Sequence, residues 1–112
     1  MKILELVPPP KQCETFKRSR ARFVPEGSGC YALTTFSKEV LYIGLSTNLR
    51  RRMNEHLNSP DKIGETRVGR AVLFFWLESD NISKVERAWQ NMHVQHEGHL
   101  PELNRLNSPV ST

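Results

Sequence analysis

Cysteine is scarce in this chain of 112 residues: Cys13 and Cys30 stand alone, and neither belongs to a Cys-x-x-Cys pair. That argues against a disulfide-stapled secreted scaffold and against a cysteine-based metal ribbon, and it favours a reducing, cytoplasmic compartment. Long apolar runs are missing too, and no window approaches the about 20 residues that cross a bilayer. The N-terminal MKILELVPPPKQ is broken by three prolines and is too brief for a signal-peptide core. No internal repeat is visible. Acidic residues are the minority charge, twelve against sixteen Lys and Arg, for a net +4 and a pI near 9.4. Such a balance suits a polyanionic partner more than a small anionic substrate, and an intracellular, nucleoid-associated location agrees with it.

The length fits one domain with a single core. Residues 1–27 read as a basic arm, extended by Pro8, Pro9 and Pro10 and carrying four cations in KRSRAR, residues 17–22. The domain proper is expected over 28–107, with 108–112 a tail. After the turn-rich PEGSG, residues 30–36 and 40–43 read as two strands of a hairpin joined through Ser37, Lys38 and Glu39. A helix over 48–58 follows, capped by Ser46, Thr47 or Asn48, with Leu49, Met53 and Leu57 as one apolar ridge. A polar loop from Asp61 to Gly69 leads to AVLFFWL, residues 71–77, which reads as a strand buried on both faces. The second helix runs from about Ile82 to Glu97, stopped by Gly98. The tail HLPELNRLNSPVST is expected to be loop, tacked down by Leu100, Leu103 and Leu106. This order predicts an α+β fold, a small three-stranded, mainly antiparallel sheet flanked by helices.

The only two tyrosines fall in that hairpin, within GCYALTTFSKEVLYIG, residues 29–44. Side chains alternate along a strand, so a two- or four-residue loop puts Tyr31, Leu33 and Tyr42 on one face and Cys30, Ala32 and Ile43 on the other. A three-residue loop would separate the phenols unless a bulge intervened. Gly29 and Gly44 fit positions where a backbone or ligand comes close. On the first helix Arg52 and His56, four residues apart, flank the apolar ridge, whereas Arg50 and Arg51 point away, toward water or a phosphate backbone. A guanidinium suits a phosphate through two parallel hydrogen bonds, and an imidazole beside it can share or move a proton. On the second helix Glu86 and His93 lie in or beside the apolar stripe of Ile82, Val85, Trp89 and Met92, where a carboxylate is costly unless paired or bound to metal. Ser83 and Glu86 also fit a capping box, which would give Glu86 a structural task instead. His93, His96 and His99 raise a zinc site, though Gly98 ends the helix between them and no fourth ligand is evident.

Taken in order, Gly29-Cys30-Tyr31, Tyr42-Ile43-Gly44, the NLRRRMNEH helix and the later carboxylate resemble the GIY-YIG nuclease family, small metal-dependent phosphodiesterases. The resemblance covers residues 28 to about 106. It implies a DNA endonuclease using Mg2+ or Mn2+, in which Tyr31 activates the attacking water, Tyr42 helps orient it, Arg52 binds phosphate and His56 polarises Tyr31 or the water. It implies further that Glu86 is the one acidic metal ligand and that Asn104 closes the site, with Gly29, Gly44, Arg50 and Arg51 against substrate. Cys30 departs from the isoleucine of the first motif, but its side chain is expected in the core as a small hydrophobe. A non-catalytic nucleic-acid-binding module of the same fold is the alternative. Without an added recognition module, specificity in so small a domain would come from DNA structure, a homodimer or a recruiting protein partner.

Overall fold

The apolar run near the middle of the chain becomes β4 (Leu73–Glu78), around which the sheet is assembled. In the computed structural model, which describes residues 1–107 and their side chains as far as Arg105, β4 lies between β1 (Gln12–Thr15) and β2 (Gly29–Thr34). The edge strand β3 (Val40–Ser46) completes the order β1-β4-β2-β3, with every pairing antiparallel. Alternation sends Phe74 and Trp76 into one core with Tyr31, Leu33, Leu49 and Met53, and Phe75 into the other with Cys30, Ala32, Ile43 and Trp89. The central strand is thus buried on both faces, as its continuous apolar run predicts.

Helices lie on both faces of the sheet. Asn48 caps α1 (Leu49–Leu57), its side chain accepting from the Arg51 amide at 3.0 Å, and Leu49 and Met53 are fully buried. The 16-residue α3 (Ile82–Glu97) buries Trp89 and His93 and ends at Gly98, whose φ of 86° is the left-handed stop that glycine adopts without strain.

The sheet has four strands where the sequence suggests three, and the fourth comes from the segment read as an arm. Backbone pairing of Gln12–Thr15 along β4 occupies an edge that the sequence pattern leaves open. Ile3 and Leu6 are fully buried, Phe16 and Ala21 nearly so, and Trp89 donates its indole N–H to the Pro8 carbonyl at 2.8 Å. KRSRAR lies mostly in a 3-10 turn, Arg18–Phe23, packed beside α1, where Arg20 pairs with Glu14 at 2.8 Å. Apolar residues at irregular spacing gave this segment no period to read, so its cations dominated its appearance.

Two further expectations change. The loop after α1 begins with a short helix, α2 (Pro60–Ile63), started by proline at its first turn. The segment after Gly98 contains α4 (Glu102–Asn107), which packs against β3 through Leu103, 1 % exposed. Leu100 is half-buried. The Leu106 side chain and the tail 108–112 lie outside the described residues.

Candidate active site

The hairpin uses a three-residue loop, Phe36–Lys38, with Thr35 and Glu39 hydrogen-bonded across it at 3.0 Å and Lys38 at a φ of 73°. An odd loop turns the two tyrosines to opposite faces, yet the register corrects itself. Thr34 pairs with Val40 but Leu33 pairs with Tyr42, so Leu41 is an extra, unpaired residue. This bulge restores the parity, and Tyr31 and Tyr42 become diagonal neighbours on one face with ring centroids 6.0 Å apart.

Tyr31 is buried, 1 % exposed, and stacked on Phe74 at 5.1 Å. Its hydroxyl lies 2.6 Å from Nε2 of His56, and the same imidazole meets the Tyr42 ring edge-on at 5.1 Å. Gly44 allows this arrangement. A Cβ there would stand 2.5 Å from Tyr31 Oη and 2.9 Å from Tyr42 Cε2, so any side chain would displace a phenol. At Gly29 the obstruction is structural, since a Cβ would meet the Leu77 carbonyl oxygen at 2.6 Å.

The first core supplies Leu49 and Met53 as the anchor that fixes α1, and four residues of helix then set His56 beneath Arg52. Burial, with repulsion from Lys62 and Arg52, pushes the His56 pKa down to about 3, so its ring is neutral near pH 7. Burial also raises Tyr31 well above the usual phenol value, an effect that outweighs the opposing pull of Arg52. The phenol is therefore protonated at neutral pH, and a nearby guanidinium alone does not make it a phenolate. Arg52 reaches Glu55 through Nη1 at 3.1 Å, while its Nε is buried with no hydrogen-bond partner among the described residues. Arg50 is engaged elsewhere, donating to the Val24 and Arg22 carbonyls at 2.8 and 3.2 Å. Arg51 is exposed beside Glu55.

Glu86 lies within electrostatic reach of both phenols and of Cys30. The capping-box alternative fails on position: Asn81 is the N-cap, so Ser83 already lies inside the helix, and the Glu86 side chain accepts from Gln90 at 3.4 Å. Burial raises its pKa against the weaker opposing pull of Arg87. Among the described residues no group of three or more His, Cys, Asp or Glu is placed to hold a metal. The histidine-zinc alternative fails with it: His93 is buried against the His99 carbonyl at 2.7 Å, and His96 is exposed near Glu5 and Glu97. One half-buried carboxylate near two phenols still suits a hard divalent ion that completes its shell with water and phosphate oxygens.

Asn104 grips the edge of β3, its Oδ1 accepting from the Ile43 amide at 2.8 Å and its Nδ2 donating to the Ile43 carbonyl at 2.9 Å. It thus holds the middle residue of Tyr42-Ile43-Gly44 by its backbone. One residue at the site escaped sequence reasoning. Lys62, on α2, is 5 % exposed and sets its ammonium 4.9 Å from the Tyr42 ring centroid. The one local signal was Ser59-Pro60-Asp61, a helix start hidden in what looked like a polar loop.

Comparison with curated proteins finds no match. A model of the GIY-YIG catalytic domain matches residues 27–98, well over half of the chain, and spans the hairpin, α1 and the helix carrying Glu86. The chain belongs to the GIY-YIG family, whose fold is of nuclease type.

Proposed function

We propose that this chain is a divalent-metal-dependent DNA endonuclease that hydrolyses phosphodiester bonds. One observation carries the reading: two phenols within electrostatic reach of a half-buried carboxylate gather with a neutral imidazole and a guanidinium whose Nε has no partner among the described residues. Structural pairing would consume these groups, whereas a bound phosphodiester would use them.

Arg52 turns its free donors to non-bridging phosphate oxygens, where a charge-assisted contact is strongest. A divalent cation held by Glu86 supplies neutralisation of the developing charge and support for the leaving oxygen. Tyr31 acts as a relay and not as a preformed phenolate. As the water oxygen bonds to phosphorus, its proton passes to the Tyr31 oxygen, and the Tyr31 proton passes 2.6 Å to Nε2 of His56, in the tautomer that carries the ring proton on Nδ1. The phosphorus–oxygen bond to the leaving nucleotide breaks, and that oxygen takes a proton from solvent. Burial chiefly lowers the His56 pKa, and phosphate negative charge beside Lys62 and Arg52 offsets the repulsion that adds to it, so the imidazole accepts more readily once DNA is bound. Tyr42, half-buried at the rim, orients the water.

The test is nicking of supercoiled plasmid with Mg2+ or Mn2+ against an EDTA control. Cleavage is expected with either metal and absent in EDTA, and Tyr31→Phe should lower the rate at least about 100-fold, within the range for losing a general base. Duplex binding in EDTA should be unchanged by that variant. Binding with no cleavage under any metal would make the chain a nucleic-acid-binding module instead.

A further inference from the structure

Lys62 is a buried lysine with no ion pair among the described residues. A lysine whose stem is this deeply buried is seldom left without an anionic partner, because withdrawing its ammonium even partly from water is costly. Here the residue is 5 % exposed, its ammonium lies 4.9 Å from the Tyr42 ring centroid, and neighbouring Asp61 is exposed and acts on it only through its charge, with no ion pair between them. The position is built. Ser59 receives the Lys62 amide at 3.0 Å and itself donates to the His56 carbonyl at 3.0 Å, so α2 is fastened to the end of α1 and aims Lys62 back across the site. Burial lowers the Lys62 pKa, Asp61 opposes that shift and Arg52 adds to it more weakly, and Lys62 in turn helps hold His56 neutral.

Two cations therefore lie within electrostatic reach of one another at the site: Lys62 over Tyr42, and Arg52, whose Nε is buried with no partner among the described residues. Repulsion between them is a standing penalty that an anion removes. The Tyr42 side chain, projecting from β3, lies against the Lys62 ammonium of α2, so an anion meeting Tyr42 and Arg52 meets Lys62 as well.

We propose that Lys62 is a phosphate-binding residue of this site, contacting a DNA backbone oxygen alongside Arg52. The inference rests on the nuclease reading for the identity of the phosphate and, for the binding, on a lysine with no ion pair among the described residues whose ammonium lies over the Tyr42 ring within electrostatic reach of Arg52. As a point charge on a flexible stem it complements the fixed fork of the guanidinium.

The experiment compares the full chain with Lys62→Met, which keeps length and loses charge, and with Lys62→Gln as a second variant should the first fail to fold. Three readouts are taken: thermal midpoint with and without inorganic phosphate, duplex affinity in EDTA across a salt series, and plasmid cleavage with Mg2+. The variants should melt at or above the parent temperature without ligand, lose the phosphate-induced stabilisation, and bind DNA with a salt slope smaller by about 0.9. Cleavage should fall at least about tenfold. A parent that cleaves while both variants bind and cut like it would overturn the assignment and leave the nuclease reading standing. A parent that never cleaves, but whose phosphate protection vanishes in the variants, would sink the nuclease reading and keep Lys62 as an anion ligand. Variants that melt well below the parent would show a packing role and also overturn the proposal.

Discussion

Tyr42 stands across from Leu33 and not from Ala32, and this one-residue displacement gives it the same face as Tyr31. The cause is the bulged Leu41, which compensates for a three-residue loop. The close approach that follows predicts a strict requirement at Gly44. Gly44→Ala should destabilise the fold by about 1–3 kcal/mol, the usual range for overpacking, and should separate Tyr31 from His56. Adding Tyr31→Phe should relieve only part of the loss, because the ring carbon Cζ is as close to the intruding methyl as the hydroxyl is. Equilibrium unfolding of the single and double variants checks this, and a stable Gly44→Ala would contradict the packing described.

Glu86→Gln separates charge from shape. With capping excluded by its place inside α3, the variant should keep its fold and its DNA binding and lose cleavage. Because the folded-state pKa of Glu86 is raised, the parent loses stability from this group as pH rises through and above the ordinary carboxylate value of 4.5. The variant should lack that step and gain relative to the parent at neutral pH. Cleavage at the parent rate by Glu86→Gln would remove this residue from the chemistry.

His56 titrates in the opposite sense. Its folded-state pKa, about 3, lies below the ordinary 6.5, so its contribution to stability is present above pH 6.5 and is lost as pH falls from there toward 3. His56→Gln should flatten the acid limb of a melting-temperature profile by the uptake of one proton. An unaltered limb would mean that the imidazole is not buried as described.

Asn104 is expected to matter through the β3 backbone. Asn104→Asp keeps the acceptor for the Ile43 amide but replaces the donor to its carbonyl with a second acceptor. A loss of about 1–3 kcal/mol follows from the unsatisfied pair. Amide exchange at Ile43 should accelerate ahead of exchange at Cys30 and Ala32 in the centre of the sheet, and equal protection would refute the clamp.

Removing residues 1–22 would pull Ile3, Leu6, Phe16 and Ala21 out of the two cores, so it tests folding and not DNA contact. Replacing the exposed Lys17, Arg18 and Arg22 with alanine leaves the buried residues in place. If these cations meet phosphates, affinity should fall alike for all sequences, and the salt slope should drop by about 0.9 for each phosphate that is no longer neutralised. Unchanged slopes would assign them to solvent.

Sequence alone determined the parts governed by short-range periodicity. The α1 ridge of Leu49 and Met53, the α3 stop at Gly98 and the two-faced β4 follow from residue spacing, and the ordered tyrosines, glycines and arginine sufficed to identify the family. Tertiary structure decided what depends on distant partners. Whether Gln12–Thr15 formed an arm or a strand rested on the free edge of β4, about sixty residues away in sequence. The bulge at Leu41 is a register choice forced by two cores, each demanding its own side chains. The protonation of Tyr31 and His56 and the burial of Lys62 follow from desolvation, which depends on what packs above a residue and leaves no mark on the residues beside it in the chain.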